Sequence, residues 1–514
     1  MAHYVLGIDA GTESFRAGVF DENGKCHGFG VSANTTHIRH AGWAEQSPDD
    51  WERALVDSIR RALAASSIDP SLIEGVGIDG TSCTVVFLDK DGASLRDAIM
   101  WMDIRASAEA AEVAATGDPA LKYVGFGNVS PEWYPCKTLW VMRHEPDVYT
   151  AATTIFEQSD WLALMLTGER TVNIDTISIR WFYNAREGGF PRSLYEGIGL
   201  GSVFEKIPER VVKLGEVVGG LRAVIAEKTG LRAGIPVAGG GADAFVGVVG
   251  VNVLDARKLA LITGSSHLQI AISDREIHVP GLFGSFPDAI IDGYDVIEAG
   301  QISTGSVLRW FTENFINADI SGEAHRRGIS VYDVLNEQAA GIPPGSDGLV
   351  VLEHWQGNRT PWTDPASRGV IRGLTLSHTP AHVYRAIMEG IVYGTQLIIS
   401  TMEKNNVEID EIIACGGATM SDLWMQITAD ATGKPITIPE EQQAVSLGAA
   451  ICATVACDLH KSLQVAAKAM VRTSRVFLPD SGANKRYREY VAQYAATYEH
   501  LKDDSQHLVA TLGD

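Results

Sequence analysis

The stretch Tyr4-Val5-Leu6-Gly7-Ile8-Asp9-Ala10-Gly11-Thr12-Glu13-Ser14-Phe15-Arg16-Ala17-Gly18-Val19-Phe20-Asp21 reads as a hydrophobic strand, a tight turn and a second, alternating strand. The turn carries the chemistry. Asp9 is an acid at a strand end, placed to meet a metal-bound phosphate, and Gly11 lets the backbone pass close to an anion. Thr12 adds a hydroxyl donor. One such hairpin is ordinarily only a turn. About 250 residues later the plan returns in Lys258-Leu259-Ala260-Leu261-Ile262-Thr263-Gly264-Ser265-Ser266-His267-Leu268-Gln269-Ile270-Ala271-Ile272. Each half also has a later glycine-rich strand end, Gly75-Val76-Gly77-Ile78-Asp79-Gly80-Thr81 and Ile412-Ile413-Ala414-Cys415-Gly416-Gly417-Ala418. A duplicated clamp for nucleotide phosphates accounts for the whole pattern.

Strands and helices alternate around these hairpins. Ser47-Pro48-Asp49-Asp50-Trp51 opens a helix with a capping-type serine, and Trp51, Leu55, Ile59 and Leu63 recur at helical spacing. A buried strand follows over Ile73 to Ile78. The class is α/β, and the 514 residues fit two large related domains, 1–252 and 253–514, with a ligand cleft between them. Near the C-terminus Tyr487, Tyr490, Tyr494 and Tyr498 share a helix face and read as packing.

A formal net charge of −22 provides no general field for polyanions, so neither nucleic acid nor an anionic membrane is an expected partner. Any phosphate site is therefore local. Six cysteines without a CxxC pair or zinc-type spacing read as ordinary thiols of a reducing compartment. The longest nearly apolar stretch, Leu447 to Cys457, is too short to span a bilayer, and no basic, apolar leader precedes the first strand. The expected location is cytoplasmic.

Phosphoryl transfer to an alcohol needs a bound triphosphate and metal, a base beside the hydroxyl, and a pocket that holds that hydroxyl in line. No Walker-type loop is present, because Gly433-Lys434 is followed by Pro435. The phosphate cradle is then of the hairpin kind. Asp243, after the flexible run Gly239-Gly240-Gly241-Ala242, is the candidate base; alone it reads equally as a helix N-cap.

At this point the residues reach a family. Tyr134-Pro135-Cys136-Lys137-Thr138-Leu139-Trp140 resembles the first signature of the FGGY carbohydrate kinases, which share the actin, hexokinase and Hsp70-like ATPase fold. Gly369-Val370-Ile371-Arg372-Gly373-Leu374, with His382-Val383-Tyr384-Arg385-Ala386-Ile387-Met388-Glu389 after it, is similar to the second. The likeness runs over essentially the full chain. It implies ATP and Mg²⁺ as cofactors, Asp243 as catalytic base, and Asp9 acting on the metal with Asp243 beside it. Gly11, Thr12 and Glu13 would approach the terminal phosphate, Thr263, Gly264 and Ser265 would form the second phosphate hairpin, and Gly416, Gly417 and Ala418 would lie against the adenosine. Ser421 and Gln426 are expected near that segment, and the resemblance further implies a homodimer.

Within the family the chain is most similar to ribulokinase-like members. Glu132 and Lys137, and Glu298-Ala299-Gly300-Gln301, resemble that group's sugar contacts, and Lys137 and Glu298 would supply donors and an acceptor to a polyol. The loop Asp79-Gly80-Thr81-Ser82-Cys83-Thr84 resembles the ribulokinase loop, so Asp79, Thr81 and Ser82 are expected at the substrate. The chain departs from the pattern at Ser265-Ser266-His267 and at Trp181-Phe182-Tyr183-Asn184. The implied reaction is phosphorylation of a terminal hydroxyl of a ketopentose such as L- or D-ribulose. Xylulose, ribitol, erythritol and glycerol are alternatives, and a non-kinase actin- or Hsp70-like ATP-binding module is the rival from another class.

Overall fold

The computed structural model describes residues 3–126 and 129–512. Two mixed sheets carry the two hairpins. Edge to edge, the first sheet runs Val217–Gly220, Pro236–Ala238, Ile73–Gly80, Tyr4–Ala10, Ser14–Asp21 and Cys26–Ala33. The second runs Gly284–Pro287, Asp295–Gln301, His267–Ser273, Lys258–Thr263, Glu411–Gly416, Ile436–Pro439 and Thr473–Phe477. In each, the hairpin's first strand pairs antiparallel with its successor and parallel with the later glycine-rich strand. The sequence repeat is thus a repeat of topology.

Strand alternation sorts the first sheet's two faces. Leu6, Ile8, Ala10, Val76 and Ile78 join the core under the helix Pro48–Ser66, where Trp51, Leu55 and Ile59 are fully buried. Ser47 holds the N-cap position of that helix, but its side chain makes no capping bond, so the expected serine cap is corrected. Pro48 at the first turn needs no partner for a missing N–H. The opposite face carries Gly7 and Gly77, which are partners across the parallel pair.

Those glycines explain the apolar stretch near residue 450. The helix Ala444–Ala456 follows a strand of the second sheet yet lies flush on the first. A methyl at Gly7 would meet the Ser446 carbonyl at 2.0 Å, and one at Gly77 the Ala449 carbonyl at 1.7 Å. The same helix crosses the helix Asp243–Gly250 at a second glycine contact. A methyl at Gly250 would meet the Ala444 carbonyl at 1.8 Å, and one at Gly448 the Val246 carbonyl at 2.0 Å. This crossing, with Ala260, Ile270 and Phe286 of the second sheet, forms the core that joins the halves.

Polar contacts span the halves on another side, where Arg186 pairs with Asp288 at 2.8 Å and with Asp295 at 2.7 Å. The tyrosines of the helix Ser481–Leu512 do pack: Tyr487 and Tyr494 are fully buried and bond to Glu389 and Glu353. Glu389 also receives Arg385, so the second signature motif is a structural lock of the C-terminal half. No helix of the described residues is long and apolar enough to cross a membrane.

Candidate active site

The glycine track beneath the helix Ala444–Ala456 ends in two acids. Asp9 and Asp79 are partners in the parallel pair, two residues beyond Gly7 and Gly77 on the same face. Across the hairpin Asp9 faces Arg16, whose Nη1 donates to its carboxylate at 2.9 Å. Burial raises the Asp9 carboxyl above its usual range despite that cation. Asp79 is fully buried with neither carboxylate oxygen partnered, and burial together with the charges of Asp9 and Asp243 pushes it well up.

Asp243 completes the group from the adjacent strand end. Three glycines follow Ala238, and a methyl at Gly240 would strike the Ile78 carbonyl at 1.7 Å, so the loop runs flush against the strand bearing Asp79. Gly80 donates to the Gly241 carbonyl at 3.0 Å and locks that register. Asp243 is the first residue of the helix Asp243–Gly250, and its Oδ1 accepts from the Ala244 amide at 2.7 Å. Burial and the Asp9 charge raise its carboxyl to about 6. A carboxylate held near neutrality, half-buried, has the properties of a general base.

The expected sugar contacts gather in one charged nest with unexpected partners. Lys137 is fully buried, and its Nζ donates to the carbonyls of Cys83 at 2.7 Å and Met100 at 2.6 Å. It thereby holds the loop Asp79–Thr84 from behind. Thr81 is closed in by Gln158 and Thr84, leaving Ser82 as the half-buried hydroxyl of that loop. Glu157 accepts from the Cys83 amide at 2.6 Å and from Trp181 Nε1 at 2.7 Å. Glu132, half-buried, acts through its charge on both Lys137 and Arg180.

Glu298 comes from the other half. Arg180 Nη2 straddles its carboxylate, at 2.8 Å from one oxygen and 3.1 Å from the other. Gln301, expected on the sugar with it, is corrected: strand alternation turns it to the opposite face. There it donates to Glu353 and to the Ile391 carbonyl.

Among the residues expected at the nucleotide, Gly11 closes its turn by donating to the Ser14 carbonyl, Thr12 Oγ1 accepts from the Trp101 indole, and Glu13 is exposed. Thr263 Oγ1 donates to the Cys415 carbonyl and accepts from the Ala418 amide, so it ties the second hairpin to the expected adenosine segment. Gly264 and Ser265 are exposed, and their carbonyls receive the first amides of the helix Gly305–Asn314. Gly416 has φ +90° with Thr263 tight against it, whereas Gly417 faces open space. A cavity of about 260 Å³ lies beside both, bounded by Met420, Ile438, Glu440 and Arg475. Ser421 caps the helix Asp422–Thr432, and Gln426 is tied to Asp430 and Leu478, so both have structural partners.

Four residues were not foreseen, Glu157 behind the substrate loop among them. Arg16 was accessible, since an opposite charge directly across a hairpin is a readable pair. Asp175, which accepts from the Ala242 amide at 2.8 Å, and Arg180 belong to a short helix, Ile174–Arg180, that carries no motif. The signal there was a lone arginine amid Ile179, Trp181 and Phe182.

Two topologically equivalent hairpins and a carboxyl raised to about 6 at the end of a strand in the sheet of the first are an arrangement suited to phosphoryl transfer. Residues 4–250 match the N-terminal domain of the FGGY family of carbohydrate kinases and residues 259–457 its C-terminal domain. The chain belongs to the FGGY family of carbohydrate kinases, and it is an ATP-dependent sugar kinase. It is 31% identical to a ribulokinase of Halalkalibacterium halodurans, covering 95% of this chain and 94% of that protein. A ribulokinase of Mycolicibacterium smegmatis is 33% identical over 96% of this chain and 93% of its own length. The crystal structure of xylulose kinase from Rhodospirillum rubrum superposes with a TM-score of 0.88 at 26% identity, covering 98% of this chain and all of that one.

Proposed function

We propose that this kinase transfers the γ-phosphoryl group of ATP to a terminal hydroxyl of a ketopentose, L- or D-ribulose first. The observation that carries the mechanism is Asp243, whose carboxyl is raised to about 6 at the junction of the halves. Its Oδ accepts the proton of the sugar hydroxyl as that oxygen bonds to the γ-phosphorus and the bond to ADP breaks. Residues 1–252 supply the base and most of the sugar wall; residues 253–514 supply the second phosphate hairpin, the adenosine segment and Glu298. The two ribulokinase relatives support ribulose as the acceptor.

Mg²⁺ fits the donor set. Asp9 and Asp243 act on each other through their charges with only Arg16, bonded to Asp9, to offset them, an excess a divalent cation would balance, while among the described residues no group of three or more ligating side chains closes on one point. Asp9 and Asp243 are the residues that would hold it. The ion would neutralise phosphate charge as it develops. The glycines at 11, 264 and 416 keep the backbone close to the nucleotide, Lys137 and Glu157 fix the loop bearing Ser82, and Glu298 offers an acceptor to a sugar hydroxyl.

The test is ADP release from Mg²⁺-ATP with L-ribulose, D-ribulose, D- and L-xylulose, ribitol, erythritol and glycerol, beside a control without sugar. Strong stimulation by a ribulose is the expected result. Preference for another polyol would reassign the acceptor, and equal turnover with and without every sugar would overturn the proposal.

A further inference from the structure

The first hairpin turn shows all three of its backbone carbonyls to a layer of protein behind it. Asn34 Nδ2 donates to the Gly11 carbonyl at 3.3 Å, the Asn34 backbone N–H to the Glu13 carbonyl at 2.9 Å, and Gln46 Nε2 to the Thr12 carbonyl at 2.8 Å. In a planar trans peptide the C=O and the following N–H point opposite ways. The amides of Thr12 and Glu13 are therefore turned away from Asn34 and Gln46, and neither has a partner among the described residues. The Thr12 hydroxyl accepts from the Trp101 indole at 2.9 Å, which leaves its hydrogen to donate. The unpartnered backbone groups of the turn are thus donors, the character of an anion nest.

Gln46 is the fixed member of that layer. It is 1% exposed, and its backbone pairs with Ala98. Both ends of its carboxamide are held: Nε2 also donates to Thr36 Oγ1 at 2.8 Å, and Oε1 accepts from Trp51 Nε1 at 2.7 Å. An indole nitrogen only donates, so Trp51 must meet the amide oxygen, and the amide nitrogen is thereby turned to Thr12. Trp51 is itself fully buried and lies edge-on to Trp161 at 5.3 Å. The Asn34 side-chain bond is longer and its Oδ1 has no partner, so that carboxamide is held less firmly.

We propose that Gln46 is a positioning residue for phosphoryl transfer: by holding the Thr12 carbonyl it aims the Glu13 amide at the terminal phosphoryl group of ATP. Gln46 lies behind the turn and acts through the Thr12–Glu13 peptide. This rests on the reading given above that the first hairpin meets the terminal phosphate. A donor fixed before the reaction stabilises the charge on the group in flight without having to reorganise, so its loss shows in turnover more than in nucleotide binding. A Gln46 that served packing alone would lower stability and leave the turnover of the folded enzyme as it is.

The experiment compares wild type with Gln46→Leu, Gln46→Glu and Thr12→Val. Gln46→Glu keeps the length and the acceptor for Trp51 but, ionised, has no hydrogen for the Thr12 carbonyl; Gln46→Leu removes both bonds. Urea midpoints, ADP affinity by calorimetry, and kcat and KM for ATP with the sugar that wild type phosphorylates fastest are measured on each. Both Gln46 variants should lose about tenfold or more in kcat, with KM for ATP within about threefold of wild type. ADP lacks the terminal phosphoryl group and should bind within about twofold of wild type. Thr12→Val removes the hydroxyl donor of the turn and should also lower kcat. Gln46 variants that keep kcat within about twofold while Thr12→Val loses it overturn the role of Gln46 and leave the hairpin reading standing. If all three keep kcat, the hairpin reading fails and the proposal with it. ADP affinity lost in step with kcat marks a general disruption and also overturns the role. If Gln46→Leu does not fold, Gln46→Glu alone decides.

Discussion

Replacing Asp243 by Asn separates catalysis from stability. The amide keeps an oxygen for the Ala244 N–H but has no basic form, so proton removal from the acceptor hydroxyl is lost. General-base removal lowers kcat by roughly 10²–10⁴-fold. The same change relieves strain. The Asp243 carboxyl moves from 3.8 to about 6 on folding, which corresponds to about 3 kcal/mol between its protonation states. Because the folded value is raised, that stability is fully present below the unfolded pKa and is lost as pH rises through about 6. Asp243→Asn should therefore be more stable than wild type near neutral pH by up to about 3 kcal/mol, with the gain vanishing below about pH 4. Urea unfolding midpoints of both proteins across that range, beside sugar-dependent ADP release, make the measurement. A variant that keeps a tenth or more of wild-type kcat would, by the about 10²-fold minimum expected of a base, refute the assignment. A variant without any neutral-pH stabilisation would refute the account of burial and the Asp9 charge.

The pH profile of wild type should agree in direction: kcat/KM for the sugar rises with pH as Asp243 ionises, with a midpoint at or below about 6 because bound Mg²⁺ favours the carboxylate, read from initial rates in constant ionic strength. Lys137→Met leaves the Cys83 and Met100 carbonyls buried without a donor, at about 1–3 kcal/mol each, and should lower both the urea midpoint and the affinity for sugar. Gly416→Ala, at φ +90° with the Thr263 carbonyl 2.0 Å from the added methyl, should raise KM for ATP or prevent folding, whereas Gly417→Ala should leave stability unchanged. Glu298→Gln should raise KM for sugar more than KM for ATP, measured in the same steady-state assay.

What the sequence made legible was set by local rules. The hairpin around Asp9 and its repeat at Thr263 were readable because strand, turn and strand are contiguous, and their parallel partners announced themselves by Gly77 and Gly416. The α/β class followed from the same alternation. Less legible were the residues whose meaning depends on which face or which half they meet. Gln301 matched a motif that disregards alternation along a strand, and the structure turns it into the core. Lys137 and Glu298 stood out by resemblance, but their partners in the fold, two loop carbonyls and Arg180, are far away in the chain. Arg180 lies in a helix of seven residues with no motif, and only the folded contacts join it to Asp243 through Asp175.

The helix Ala444–Ala456 has a consequence for synthesis on the ribosome. The first sheet's strands are complete at Ala238, yet the helix that covers its glycine-paved face is made about two hundred residues later, a delay of roughly 10–40 s at ordinary translation rates. Through that interval the nascent chain exposes an uncovered apolar sheet face on which Gly7 and Gly77 offer an open groove. The cover of the first sheet is thus supplied only when the C-terminal half has emerged, and that is the interval in which a chaperone would have most to shield.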